Sequence, residues 1–126
     1  MKLNPDCIRD ILLTVEELSA PGKPVAIPEK SQERMMKYPK DVVQYHVLQC
    51  EASHLICGVK LYSKGRYMIQ DLTPAGHKFI ENIRQDNIWN NTKAIAAKVG
   101  SWSLDAIAQI ASSVITELIN SHFGRS

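Results

Sequence analysis

Apolar residues recur at helical spacing near the start of the chain. Ile8, Ile11, Leu12, Val15 and Leu18 form one stripe, and Arg9, Asp10, Glu16 and Glu17 lie off it. Asn4 is suited to cap this helix, Pro5 to open it and Asp6 to sit at its positive end. The run Ala20-Pro21-Gly22-Lys23-Pro24 stops it. Val25-Ala26-Ile27, bounded by proline, reads as a brief edge strand. Ser31 is placed to cap a short second helix over residues 32–38, closed by Pro39. Asp41 opens a third helix whose apolar positions Val43, Val47 and Cys50 are spaced i, i+4 and i+7; it ends at Ser53-His54.

Two extended runs follow, residues 56–62 and 66–71, joined by Ser63-Lys64-Gly65, where glycine is available for a positive φ. A lone two-stranded hairpin is only marginally stable in water, so this one is expected to pack on the helices. Thr73 and Pro74 then restart a helix marked by Phe79, Ile80 and Ile83. Helix, short strand, helix, helix, hairpin, helix is the order of a winged helix-turn-helix. The fold class expected is therefore α+β, mostly helical, with a winged-helix domain over residues 1–86. Residues 87–126 read as a helical C-terminal extension and a candidate oligomerisation element. It has one helix carrying Ile88, Trp89, Ile95 and Val99, a break at Gly100-Ser101, and a last helix over residues 104–122 capped by Ser103. The apolar face of the last helix, widened by Ile110, Val114 and Ile119, is broader than a simple surface helix requires.

Three segments carry a resemblance to a known family. They are Met1-Lys2-Leu3-Asn4-Pro5-Asp6-Cys7-Ile8-Arg9-Asp10-Ile11-Leu12, then Val43-Gln44-Tyr45-His46-Val47 followed by Leu55-Ile56, and most of all Leu72-Thr73-Pro74-Ala75-Gly76-His77-Lys78-Phe79-Ile80-Glu81-Asn82-Ile83-Arg84. Over residues 1–99 the chain resembles the YjcQ-like winged-helix proteins of phages and bacteria, whose function is unknown. The resemblance implies a winged-helix fold and a prophage or bacterial setting, and it implies no activity. The sequence departs from the pattern at Ser53-His54, where related chains carry Ala-Gly; His54 is then expected in a left-handed conformation.

Composition narrows the function classes. Of 126 residues, 44% are apolar, enough for a real core. The formal net charge is +2, too small to make the whole chain a polycation, so any nucleic-acid reading rests on where the charges lie. Residues 23–66 hold eight bases (Lys23, Lys30, Arg34, Lys37, Lys40, Lys60, Lys64 and Arg66) against four acids, an excess of four. No apolar run reaches membrane-spanning length and the first ten residues carry Lys2, Asp6, Arg9 and Asp10, so a cytoplasmic location and no membrane partner are expected. Cys7, Cys50 and Cys57 form no CxxC pair and read as buried small hydrophobes rather than a disulfide or zinc framework. The histidines are scattered, no nucleophile or phosphate-loop motif is present, and acidic residues are dispersed. The expectation is a non-enzyme with no catalytic residue, metal, cofactor or small-molecule substrate.

Two function classes stay open. The first is a DNA-binding or transcription-regulatory factor. Its third helix would lie in the major groove of double-stranded DNA, and Arg34, Lys37, Lys40, Gln44, Tyr45, Gln49, Lys64 and Arg66 would form the contact set. Against it, the third helix has no Lys or Arg between Asp41 and Ser53, where base-specific readers usually carry one. The second is an interaction module or homo-oligomer, assembled through Leu104, Ile107, Ile110, Val114, Ile115 and Leu118 of the last helix. That helix can equally fold back on its own domain. The two classes are compatible, because a dimer would present two reading helices to adjacent half-sites.

Overall fold

The computed structural model describes residues 1–124. In it the apolar stripe at the start of the chain becomes α1 (Pro5–Leu18), with Pro5 in the first turn and the Asn4 side-chain oxygen accepting a 3.0 Å hydrogen bond from the Asp6 amide. Leu18 at the helix end is 49% exposed, whereas Ile8, Ile11, Leu12 and Val15 of the stripe are inaccessible to solvent, joined by Cys7. Each of the larger ones contributes about 1.5–3 kcal/mol of apolar burial. β1 (Val25–Ile27) follows, then α2 (Glu33–Met36) and α3 (Lys40–Ala52).

The second helix is shorter than its pattern predicts and is not capped by Ser31. Gln32 precedes it, and its side chain is engaged elsewhere: Oε1 accepts from the Glu29 amide at 2.9 Å and Nε2 donates to the Ala26 carbonyl at 2.7 Å. Gln32 is itself the N-cap: its backbone is non-helical (φ −93°, ψ 89°) and its carbonyl accepts the first helical bonds from the Met35 and Met36 amides.

α1 and α3 pack on each other and are joined by a buried histidine. His46 Nε2 accepts from the Asn4 amide at 2.7 Å, and Nδ1 lies 2.7 Å from the Val42 carbonyl. Both ring nitrogens are thereby satisfied, with the proton on Nδ1, so the ring enters the core without an unpaired polar atom.

The hairpin strands are each broken once. β2 (Ile56–Cys57) and β3 (Lys60–Leu61) form the first, and β4 (Tyr67–Ile69) and β5 (Asp71–Leu72) the second. β2 pairs with β5, while β4 is central in a sheet of order β1-β4-β3, antiparallel throughout. The break is at Gly58, whose φ is +66° and where a Cβ would stand 2.5 Å from Gln70 Cβ, so only glycine fits. Val25, Ile27, Ile56, Ile69 and Leu72 turn inward, and β1 and β5 lie against α1. At the end of α3, His54 takes the expected left-handed conformation (φ 59°).

α4 (Pro74–Ile83) begins as predicted, with Thr73 Oγ1 accepting from the Gly76 amide at 3.0 Å. Thr73 also donates from its hydroxyl to the His54 carbonyl and from its amide to the Leu55 carbonyl. The first turn of α4 is therefore pressed on the end of α3, and a Cβ on Gly76 would lie 2.0 Å from the Leu55 oxygen.

By contact density one compact unit covers Met1–Ile80 and a second begins at Glu81. In the second, α5 (Asp86–Val99) ends at a left-handed Gly100 (φ 78°) whose amide bonds Ala96. α6 (Leu104–Phe123) is capped by Ser103, whose hydroxyl accepts from the Ala106 amide at 3.1 Å. α5 and α6 pack on each other. The structure is thus mostly helical α+β with a small antiparallel sheet. No helix of the described residues is long and apolar enough to cross a membrane.

Gly76→Ala should destabilise the protein even though alanine is the better helix former by about 1 kcal/mol. Overpacking against the Leu55 carbonyl outweighs that gain, with a net loss of about 2 kcal/mol. A lower urea midpoint at unchanged slope is the expected result; an equal or higher midpoint would mean that the α3–β2 turn yields freely.

Candidate functional site

α3 directs Val43, His46, Val47 and Cys50 into the core, which leaves Asp41, Leu48 and Glu51 exposed and Gln44, Tyr45 and Gln49 half-buried on its outer side. The Tyr45 ring meets His46 edge-on, with centroids 5.1 Å apart. Gln44 does not point outward: its Nε2 donates a short hydrogen bond to the Gly65 carbonyl at the hairpin tip. The tip itself is a single 3-10 turn, Ser63–Gly65, with Lys64 (φ 62°) and Gly65 (φ 73°) both left-handed. A Cβ on Gly65 would collide with Gln44 Nε2 and come within 3.5 Å of Lys40 Nζ, so Lys40 at the start of α3 reaches the tip.

The predicted cations divide into two groups. Three are matched by carboxylates: Arg34 with Glu17 at 2.9 Å, Lys37 with Asp10 at 3.1 Å, and Arg66 with Glu29. Arg66 is the most constrained, because its Nε and Nη2 also donate to the Ser63 carbonyl and hydroxyl and its guanidinium stacks over the Tyr62 ring at 4.9 Å. The others, Lys40 and Lys64, form no ion pair among the described residues, and neither does Lys30. All three line one cleft of about 510 Å³, between the β1–α2 loop, the start of α3 and the hairpin tip, together with Ser31, Tyr38 and the Arg66–Glu29 pair.

Two groups beyond the predicted set shape this region. Asp10 on α1 is nearly buried and accepts from the Tyr38 hydroxyl at 2.7 Å as well as from Lys37. Burial and that hydrogen bond push the Tyr38 hydroxyl well above the usual phenol range, so it stays a donor. Asp10 lies off the apolar stripe, and no sequence pattern distinguishes a carboxylate that turns inward to a partner 28 positions away.

In the second unit the predicted assembly face is split. Ile107 is wholly buried, Leu104, Ile110, Val114 and Ile115 are half-buried, and Leu118 is exposed. Exposed Ile95, Val99, Ile119 and Phe123 add to the open apolar surface of α5 and α6. A shallow groove of about 430 Å³ between these helices is lined by Ile95, Lys98, Val114, Glu117 and Leu118, among others. Among the described residues no three His, Cys, Asp or Glu side chains gather in a way that could hold a metal ion.

Cys7 and Cys50 are buried and Cys57 is exposed. Burial first, then the negative charges of Asp10 and Asp6, push the Cys7 thiol up to about 12; burial likewise raises Cys50. One fast-reacting thiol per native chain, Cys57, is therefore expected with a chromogenic disulfide reagent, and three in denaturant. The unfolded chain releases these thiol protons from about pH 9 while the folded state retains them. Stability is thus full below pH 9 and falls as pH rises towards 12. Two fast thiols in the native protein, or a midpoint flat across that window, would contradict the burial.

The family described as "Hypothetical protein (DUF2513)" matches residues 2–103. An uncharacterized protein of Haemophilus influenzae is 31% identical over 122 residues, an alignment covering 94% of this chain and 99% of the relative. No solved structure matches. With most of its length matched, from before α1 to the cap of α6, the chain belongs to the DUF2513 family.

Proposed function

We propose that the protein is a winged-helix factor that binds double-stranded DNA and acts in transcriptional regulation. The observation that carries this reading is the union of α3 and the hairpin tip. Gln44 ties the two together, and Lys40 and Lys64, both without a carboxylate partner among the described residues, stand on either side of that tie. The strand order supports the winged-helix assignment, because a short strand from between the first two helices pairs with the second strand of the hairpin. The likeness of three segments to YjcQ-like proteins points the same way and favours a phage-related setting.

In this reading Tyr45, Gln49 and Leu48 face the groove, and Lys40 and Lys64 hold backbone phosphates. Gln44, Arg66, Lys37 and Arg34 act as positioning residues that shape the surface. A reading helix without Arg or Lys past Lys40 suits modest sequence preference, with affinity resting on phosphate contacts.

Random-sequence duplex titrated at low salt should bind saturably, with affinity falling as salt rises. Lys40→Ala with Lys64→Ala should weaken binding on every sequence and flatten the log–log salt slope by about 2. Gln49→Ala should change sequence preference instead. No binding at low salt would end the proposal.

A second reading, self-association, is favoured by the open apolar surface of α5 and α6, where Val99 and Phe123 are 67% and 78% exposed. Light scattering should then report a dimer that Leu118→Lys with Ile119→Lys converts to a monomer; a monomeric full-length protein excludes it.

A further inference from the structure

We infer that the cleft between the β1–α2 loop, the start of α3 and the hairpin tip is a discrete phosphate-binding site, held by Lys30, Lys40 and Lys64. The source of the phosphate rests on the DNA-binding reading above; the existence of the site does not.

Three features carry the inference. The first is an imbalance of charge. Four cations line the cleft and one carboxylate does, and that carboxylate, Glu29, is engaged by Arg66. Three lysines therefore share about 510 Å³ with no negative partner among the described residues. Like charges in one recess repel, and an anion seated among them turns that repulsion into attraction. The second is rigidity. The walls are fixed before any ligand arrives: Arg66 is held at Ser63 and Glu29, Tyr38 at Asp10, and the tip at Gln44. Preorganised walls leave little ordering cost for binding beyond the lysine side chains themselves. The third is the chemistry of the lining. Besides the three lysines it includes Ser31 and the apolar surface of Pro28, Met36 and Tyr38, and the matched Arg66–Glu29 pair adds no net charge. Compact ammonium donors around an open recess suit a tetrahedral oxyanion with several acceptors, such as a phosphodiester or terminal phosphate, better than a planar carboxylate held by a bidentate fork.

The site also separates Lys30 from its neighbours Arg34 and Lys37. All three lie in one basic stretch of sequence, but only Lys30 faces the cleft, while the other two are matched on α1 by Glu17 and Asp10.

The test is a titration of the full chain with pyrophosphate at constant ionic strength, followed by backbone amide shifts, with a parallel titration by random duplex DNA. Saturable shifts confined to residues 28–31, 38–41 and 63–66 are expected. Lys30→Gln, Lys40→Gln and Lys64→Gln combined should weaken pyrophosphate roughly ten-fold or more. The corresponding Lys→Arg triple should retain binding, and Lys23→Gln, an exposed lysine outside the cleft, should leave it unchanged. All three cleft positions are exposed, and an unchanged amide spectrum elsewhere verifies that the triple variants fold. Pyrophosphate binding with no DNA binding would leave the site standing and remove the DNA reading. Absence of saturation, shifts spread evenly to Lys23 and Lys60, or an unaffected Gln triple would overturn the site even if DNA is bound elsewhere.

Discussion

Strands of two and three residues cannot hold a sheet together by their own ladders, so every feature of the surface formed by α3 and the hairpin depends on how that sheet is docked. Three attachments do it. β1 pairs along β4 from one edge, the inward side chains Ile27, Ile69 and Leu72 join the core formed by α1, and Gln44 of α3 grips the tip through the Gly65 carbonyl. The third has the longest reach. It fixes the far end of the hairpin, which has no core beneath it, and it does so through the one residue where an added Cβ would intrude on the contact.

The same economy governs charge. The basic stretch between β1 and α3 is not a uniform positive face. Arg34 and Lys37 turn back to α1, where Glu17 and nearly buried Asp10 receive them, and Arg66 closes the hairpin on Glu29. An exposed pair such as Arg34–Glu17 contributes little to stability, about 0–1 kcal/mol. The larger consequence of the three pairs is positional, since they remove three cations from the outward field and concentrate what is left in one recess. The proposed phosphate site is that remainder.

The second unit follows a different logic. α5 and α6 are delimited by strong local signals, Gly100 in a left-handed cap and Ser103 as an N-cap, and they bury only part of the apolar surface they carry. A helix that buries Ile107 and Ala111 in its first half but leaves Leu118, Ile119 and Phe123 open towards its end is the basis of the self-association reading.

Much of this protein was written locally. Asn4-Pro5-Asp6, Thr73-Pro74 and Ser103 start helices because a capping oxygen or a proline satisfies or removes orphan amides within three residues, which is information the chain carries in place. Gly65 and Gly100 mark left-handed turns because glycine has no Cβ to oppose a positive φ, and the His54 conformation followed from its position after α3. Tertiary structure decided everything that needs two distant residues. The Gln32 side chain ties the loop before α2 to β1 through the Glu29 amide and the Ala26 carbonyl, Gln44 faces the hairpin rather than solvent, and Asp10 meets Tyr38 inside the fold. Which lysines stay unmatched is likewise invisible in the sequence. Pairing is set by which carboxylate comes within about 4 Å once α1, α2 and the hairpin have packed, and composition along the chain holds no record of that distance.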